Sequence, residues 1–121
     1  MRTVICKSYR FEAAHQLPLH PGKCKNMHGH SYKFEVEIMG TPDPITGMIR
    51  DFDELDAVVE DGIVRHFDHS ILNEVPPFNS PDCPPTSENI ARHILDVLSG
   101  ALQLSRVRVY ETVKTYAEVR I

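Results

Sequence analysis

His15, Cys24, His28 and His30 lie within sixteen consecutive residues, three imidazoles and one thiol close enough in the chain to converge on one metal ion. Three neutral imidazoles are a common protein share of a catalytic zinc site, with the fourth position left to water or substrate. A structural zinc site ordinarily closes its shell with several thiolates, and Cys24 is the one thiol nearby. The chemistry these residue types could do is therefore metal-assisted catalysis, and the chain reads as an enzyme. A lone histidine is more often a core imidazole bonded to a backbone carbonyl, or a surface residue. His-x-His on one strand face, with a third histidine in the same parity, favours the metal.

The elements that must position these groups are two strands. From His28 onward, His28, His30, Tyr32, Phe34, Val36 and Ile38 alternate with Gly29, Ser31, Lys33, Glu35 and Glu37, the pattern of a half-buried strand. Successive strand side chains point to opposite faces, so His28 and His30 share the apolar one. Upstream, Ile5, Tyr9, Phe11, Ala13 and His15 fall in one parity class. Antiparallel pairing of the two strands brings His15 towards the His28/His30 pair.

Downstream, residues 40–47 are dense in turn formers, and Asp51 with Glu54 opens a helix whose stripe is Phe52, Leu55, Val58, Val59 and Ile63. Gly62 is its weak point. From His69 to Pro85 the prolines exclude regular helix and central strand. Thr86 caps a second helix with Ile90, Ala91, Ile94, Leu95, Val97 and Leu98 as its stripe and Gly100 at its end. Val107, Val109 and Glu111, then Ala117, Val119 and Ile121, mark two more strands. The expectation is an α+β fold: a four-stranded antiparallel sheet, with two helices between strands 2 and 3 covering one side. Its exposed edges need cover, and assembly of copies through the edges is the simplest way to supply it.

With 121 residues the chain is expected to form one domain, 1–121. A formal net charge of -4 speaks against a general nucleic-acid binder. No stretch approaches the ~20 apolar residues of a membrane span. Met1–Cys6 lacks the apolar core of a secretory signal, and Cys6, Cys24 and Cys83 make an odd count without framework spacing. A cytoplasmic protein with free thiols is expected.

Phe11-Glu12-Ala13-Ala14-His15, Cys24-x3-His28-Gly29-His30, Asp68-His69, Leu72-Asn73, Pro85-Thr86-Ser87-Glu88-Asn89 and Glu111-Thr112 together resemble the 6-pyruvoyltetrahydropterin synthase / 6-carboxytetrahydropterin synthase family, in order and over essentially the whole chain. The resemblance implies the tunnelling fold, in which trimers close a twelve-stranded barrel, commonly stacked as hexamers, with active sites between subunits. The three-residue spacer from Cys24 to His28 resembles the carboxy-forming branch of queuosine (7-deazapurine) biosynthesis; the pyruvoyl-forming branch more often has a longer one. A third branch relies on a glutamate near this position, and Lys23, Lys25, Asn26 and Met27 surround Cys24 instead.

The resemblance implies roles. His15, His28 and His30 match zinc ligands that bring the ion to the hydroxyl oxygens of the pterin side chain. Cys24 matches the proton acceptor; its flanking Lys23 and Lys25 favour a thiolate, although a cysteine here also reads as a small buried hydrophobe. Asp68 and His69 match a relay pair, which needs a turn because adjacent strand side chains point apart; an aspartate cap beside a surface histidine is the plainer reading of the same residues. Glu111 matches the anchor of the guanidine-like pterin edge, and an ion-pair partner would explain it equally well. Thr86 also matches a pterin contact, while its role as helix cap is the stronger reading, and Glu88 takes no assignment. His20, His66, His93, Cys6 and Cys83 need no functional explanation. The implied activity is a zinc-dependent lyase that converts 7,8-dihydroneopterin triphosphate to 6-carboxy-5,6,7,8-tetrahydropterin, acetaldehyde and triphosphate. The alternatives are the pyruvoyl-forming synthase and a non-catalytic, zinc-stabilised binding or assembly module.

Overall fold

The protein is described by a computed structural model covering residues 2–121. Two thirteen-residue strands, β1 (Thr3–His15) and β2 (His28–Gly40), pair antiparallel along their whole length, from Thr3 opposite Gly40 to His15 opposite His28. The alternation in the sequence sets the two faces. Phe11, Ala13, Tyr32, Phe34, Val36 and Ile38 are buried on one face. Phe11 stacks on Tyr32 with ring centroids 4.8 Å apart and meets Phe34 at 5.9 Å. Such pairs contribute about 0.5–1.5 kcal/mol beyond the area they bury.

α1 (Phe52–Val59) starts at Asp51, whose carboxylate accepts the Asp53 N–H. A wide π turn over Glu60–Val64 follows, then the short α2 (Arg65–Phe67). Gly62 lies in that turn, where an added Cβ would sit 3.4 Å from Leu98 and Val97 of the next helix. The weak point in the sequence is thus a close helix–helix approach. α3 (Ser87–Leu98) is capped by Thr86, whose hydroxyl accepts the Asn89 N–H, and it buries Ile90, Ala91, Ile94 and Leu98. Burial at i, i+4 and i+8 is the one-sided stripe of a helix on a sheet. β4 (Leu104–Thr112) and β5 (Thr115–Arg120) complete the chain and supply Val107 and Val109 to the core.

The sheet has five strands, not four, in the order β3-β1-β2-β4-β5. The additional β3 (Ser70–Ile71) runs parallel to β1 opposite Ala13 and Ala14, inside the segment read as irregular. The two helical regions therefore flank β3 instead of following each other directly. Two residues are too few for periodicity to register, and the pairing exists only because β1 offers an open edge there. Three positions of the expected apolar pattern face outward: Phe52 is 44 %, Val97 41 % and Ile121 74 % exposed. The face of the sheet opposite the helices is polar and carries an ion-pair network in which Arg106 joins Glu35 and Glu37 at 2.9 and 2.8 Å and Arg108 joins Glu118 at 2.8 Å. No helix among the described residues is long and apolar enough to cross a membrane.

His93 of α3 packs between Phe67 and Phe78, with centroids 5.7 and 5.6 Å away. Loss of water there pushes its pKa below the ordinary 6.5; nearby His66 pushes the same way and Asp96 opposes. The unfolded chain thus takes up this proton more readily than the folded one, so the contribution to stability is complete above pH 6.5 and shrinks as pH falls from there towards the depressed folded value. His93→Leu is expected to lose less stability on acidification than the parent. Urea unfolding midpoints at about pH 8 and about pH 5 check this, and equal pH sensitivity of the two proteins would contradict it.

Candidate metal centre

The β1–β2 register puts His15 directly opposite His28 and His30 opposite Ala13, on the core-side face at the end of the hairpin. The three rings meet edge to face, with centroids 4.5 Å (His15–His28), 5.1 Å (His15–His30) and 4.8 Å (His28–His30) apart. His15 Nδ1 donates to the Pro85 carbonyl at 2.8 Å, and His28 Nδ1 donates to the Asn26 carbonyl at 2.7 Å. A carbonyl only accepts, so both Nδ1 atoms carry a proton and a neutral ring presents a bare lone pair at Nε2. The two Nε2 atoms face each other at 3.0 Å. Two lone pairs at that distance repel, and only a proton or a cation between them reconciles the arrangement.

His30 makes the same point differently. Its Nε2 is buried and lacks a hydrogen-bond partner, although Glu111 Oε1 stands 3.0 Å away, off the direction a hydrogen bond requires. An unsatisfied buried nitrogen costs roughly 1–3 kcal/mol, and a metal ion satisfies it. One ligand atom from each of His15, His28, His30 and Glu111 lies within 4.8 Å of the others. Zinc bonds of ~2.0–2.1 Å in a tetrahedron bring such atoms to roughly 3.4 Å, a modest closing of this cluster. Burial lowers the pKa of both His15 and His30, against the opposing pull of the Glu111 charge. Neutral imidazoles are the form that ligates. The donor set therefore fits a zinc ion on the observed geometry.

Cys24 stands outside the ladder, on a single 3-10 turn (Lys23–Lys25) in the loop joining β1 to β2. The turn is held by the Leu17 N–H donating to the Cys24 carbonyl at 2.8 Å, and the residue is half-buried. Asp68 and His69 follow α2, and the turn they require is present: His69 has a left-handed backbone, φ 60°. That conformation is uncommon for a residue other than glycine. It sets His69 Nδ1 3.0 Å from Asp68 Oδ2. The pair docks on β1, where Asp68 Oδ1 accepts the Glu12 N–H at 2.9 Å and the His69 N–H donates to the Glu12 carbonyl at 2.6 Å. The Glu12 N–H, then His69, hold the Asp68 carboxyl below the usual carboxylate range. The His69 side chain is 80 % exposed, and no hydrogen bond joins it to Cys24 among the described residues.

Glu111 ends the apolar parity run of β4, with Oε1 beside His30 and Oε2 accepting from the Ser87 hydroxyl at 3.1 Å. It can therefore serve the cluster as a fourth ligand, through oxygen, or receive a cationic edge of a bound ring. Thr86 caps α3 and lines a cavity of about 520 Å³ with Leu17, Leu19, Phe78 and Pro84. The cavity touches Pro85, whose carbonyl orients His15, and the three imidazoles are not among its lining. The volume is within the usual range for a small-molecule pocket. The Pro85 and Asn26 carbonyls are invisible to sequence reasoning, because backbone acceptors have no residue signature. Ser87 was within reach of sequence reasoning, as the neighbour of Thr86 in the same motif.

The chain matches the profile of the 6-pyruvoyl tetrahydropterin synthase family over residues 4–121. A 6-carboxy-5,6,7,8-tetrahydropterin synthase from Synechocystis is 41% identical over 115 residues, spanning 90% of this chain and 86% of the relative. A 6-pyruvoyl tetrahydrobiopterin synthase from Homo sapiens is 41% identical over 96 residues, spanning 75% of this chain and 66% of the relative. Among solved structures, Caenorhabditis elegans 6-pyruvoyl tetrahydropterin synthase superposes with a TM-score of 0.89 at 28% identity, covering 100% of this chain and 96% of that one. The five-stranded sheet with its helices is the tunnelling fold.

Proposed function

The chain belongs to the 6-pyruvoyl tetrahydropterin synthase family, and from that premise we propose that residues 1–121 act as one synthase domain, a zinc-dependent lyase that converts 7,8-dihydroneopterin triphosphate to 6-carboxy-5,6,7,8-tetrahydropterin, acetaldehyde and triphosphate. The observation that carries this reading is the pair of Nε2 lone pairs facing each other at 3.0 Å beside the unbonded Nε2 of His30. His15, His28 and His30 would hold the ion, which supplies Lewis-acid polarisation of substrate hydroxyl oxygens and so acidifies the neighbouring protons. The chain's own groups do the rest. Cys24 takes the side-chain proton. Asp68 orients His69 through the Nδ1 contact and leaves Nε2 free to exchange protons with the thiol or with water. Glu111 faces the guanidine-like edge of the pterin, and Thr86 borders the ring. Queuosine biosynthesis in the cytoplasm and a trimer or hexamer closed through sheet edges complete the reading. The open edge of β1 along 3–11, beyond the short β3 pairing and the Asp68 and His69 bonds to Glu12, supports such closure.

The pyruvoyl-forming synthase is the second reading, supported by the match to the human enzyme at equal identity. The greater reciprocal coverage of the carboxy-forming relative and the short Cys24–His28 spacer favour the first. The products decide between them. Mass spectrometry of the reaction is expected to find 6-carboxytetrahydropterin, with one acetaldehyde per turnover captured by a carbonyl trap. Accumulation of 6-pyruvoyltetrahydropterin without acetaldehyde overturns the carboxy assignment. No conversion by metal-replete protein would leave the non-catalytic module.

A further inference from the structure

The loop that carries Cys24 has a charge pattern that the chemistry at the metal cluster does not use. No acidic residue occurs between Glu12 and Glu35, in a chain with 17 Asp and Glu among 121 residues. The same interval holds Lys23, Lys25 and Lys33. Lys33 approaches Glu35 at 3.9 Å, and Lys7 elsewhere binds Asp56 at 2.8 Å. Lys23 and Lys25 are exposed and meet no carboxylate among the described residues. Two free cations, spaced by one residue, thus stand on an otherwise acidic protein.

Their placement is fixed. The Asn26 N–H donates to the Lys23 carbonyl at 3.0 Å, the Lys25 N–H to the Gly22 carbonyl at 3.3 Å, and the Leu17 N–H to the Cys24 carbonyl at 2.8 Å. The Asn26 carbonyl in turn accepts from His28 Nδ1 at 2.7 Å. The turn bearing both lysines is therefore coupled, through one residue, to a ring of the metal cluster. A net charge of -4 repels a polyanion in general, so a triphosphate substrate needs a local cationic landing point. Lysine ammonium groups on flexible stems neutralise phosphate as point charges without the fixed fork of arginine. That suits a tail which must be gripped and then released.

We propose that Lys23 and Lys25 form the subsite for the polyphosphate tail of the substrate, on the same loop as the thiol that acts on its other end. This rests on the pterin-triphosphate reading above. The test compares the parent protein with the double variants Lys23→Gln/Lys25→Gln and Lys23→Arg/Lys25→Arg, with His30→Ala, whose ring makes no hydrogen bond to this turn among the described residues, as a control. Inorganic tripolyphosphate is the probe, titrated by calorimetry and used as an inhibitor of turnover. The glutamine pair is expected to weaken tripolyphosphate binding and raise KM by about tenfold or more, with zinc content unchanged and the arginine pair restoring both. His30→Ala is expected to keep its tripolyphosphate affinity, and inhibition of the parent is expected to be competitive with substrate.

Unchanged affinity in the glutamine pair overturns the proposal. So does loss of tripolyphosphate binding in His30→Ala alone, which would put the anion on the metal. A fall in kcat with KM and tripolyphosphate affinity intact would make the lysines servants of Cys24 only, and non-competitive inhibition would put the anion elsewhere. If the parent protein does not consume the pterin triphosphate, the functional reading fails on its own, and the calorimetric arm still decides whether these lysines hold a polyphosphate.

Discussion

His28→Ala is expected to fold and to hold almost no metal: zinc by elemental analysis falls from about one ion per chain to below about a tenth of that. The His28 ring supplies one of three imidazoles, and its Nε2 is one half of the facing pair at 3.0 Å. Without it, His15 keeps its bond to the Pro85 carbonyl and presents a lone pair with nothing opposite. His30→Ala is expected to act the same way, since its buried Nε2 has no other partner to lose. His20→Ala is the control, because that ring accepts the Gly22 N–H in an exposed loop and lies outside the cluster, and it should retain zinc. Full retention of zinc in both site variants would mean that the ligand assignment is wrong.

Cys24→Ala is expected to divide metal binding from turnover. The thiol lies on the 3-10 turn outside the cluster of His15, His28, His30 and Glu111, so zinc content and oligomer size should match the parent. Turnover of 7,8-dihydroneopterin triphosphate should fall by about 10² to 10⁴-fold, the usual share of a general base. The turn is held by backbone hydrogen bonds that alanine keeps, which makes a folding explanation for the loss easy to exclude by thermal unfolding. Near-normal activity would remove the thiol from the mechanism. Loss of zinc would instead make it a ligand.

What could be read from the chain alone follows the range over which its physics acts. The alternation through His28, His30, Tyr32 and Phe34 is local, and pairing that strand with the parity class of Ile5 to His15 leaves few registers with both apolar sets on one face. The cluster of three imidazoles was therefore legible. Glu111 was legible as a carboxylate out of place on an apolar parity, but not its 3.0 Å approach to His30, which is 81 positions earlier and on another strand. The turn at Asp68-His69 could be demanded by the chemistry, while the left-handed backbone of His69 arises from docking on Glu12, 57 positions upstream. β3 escaped because two residues have no period. The outward turn of Phe52 and Val97 escaped because a stripe drawn on a helical wheel does not know how far the sheet beneath it extends.

The ladder that sets His15 opposite His28 stops there, and residues 16–27 hang from its end as a loop whose hydrogen bonds, among the described residues, run within itself, to Asn73 and to the His28 ring. Insertions or deletions within that loop leave the thirteen paired positions in place and so leave the imidazoles where they are. The thiol, by contrast, moves with every residue added or removed. In the proposed mechanism, metal capture and proton abstraction are thus separately adjustable by the cheapest kind of genetic change, a shift in loop length. On those roles, a lineage carrying this hairpin would explore new reaction outcomes on the same bound substrate without first giving up its metal.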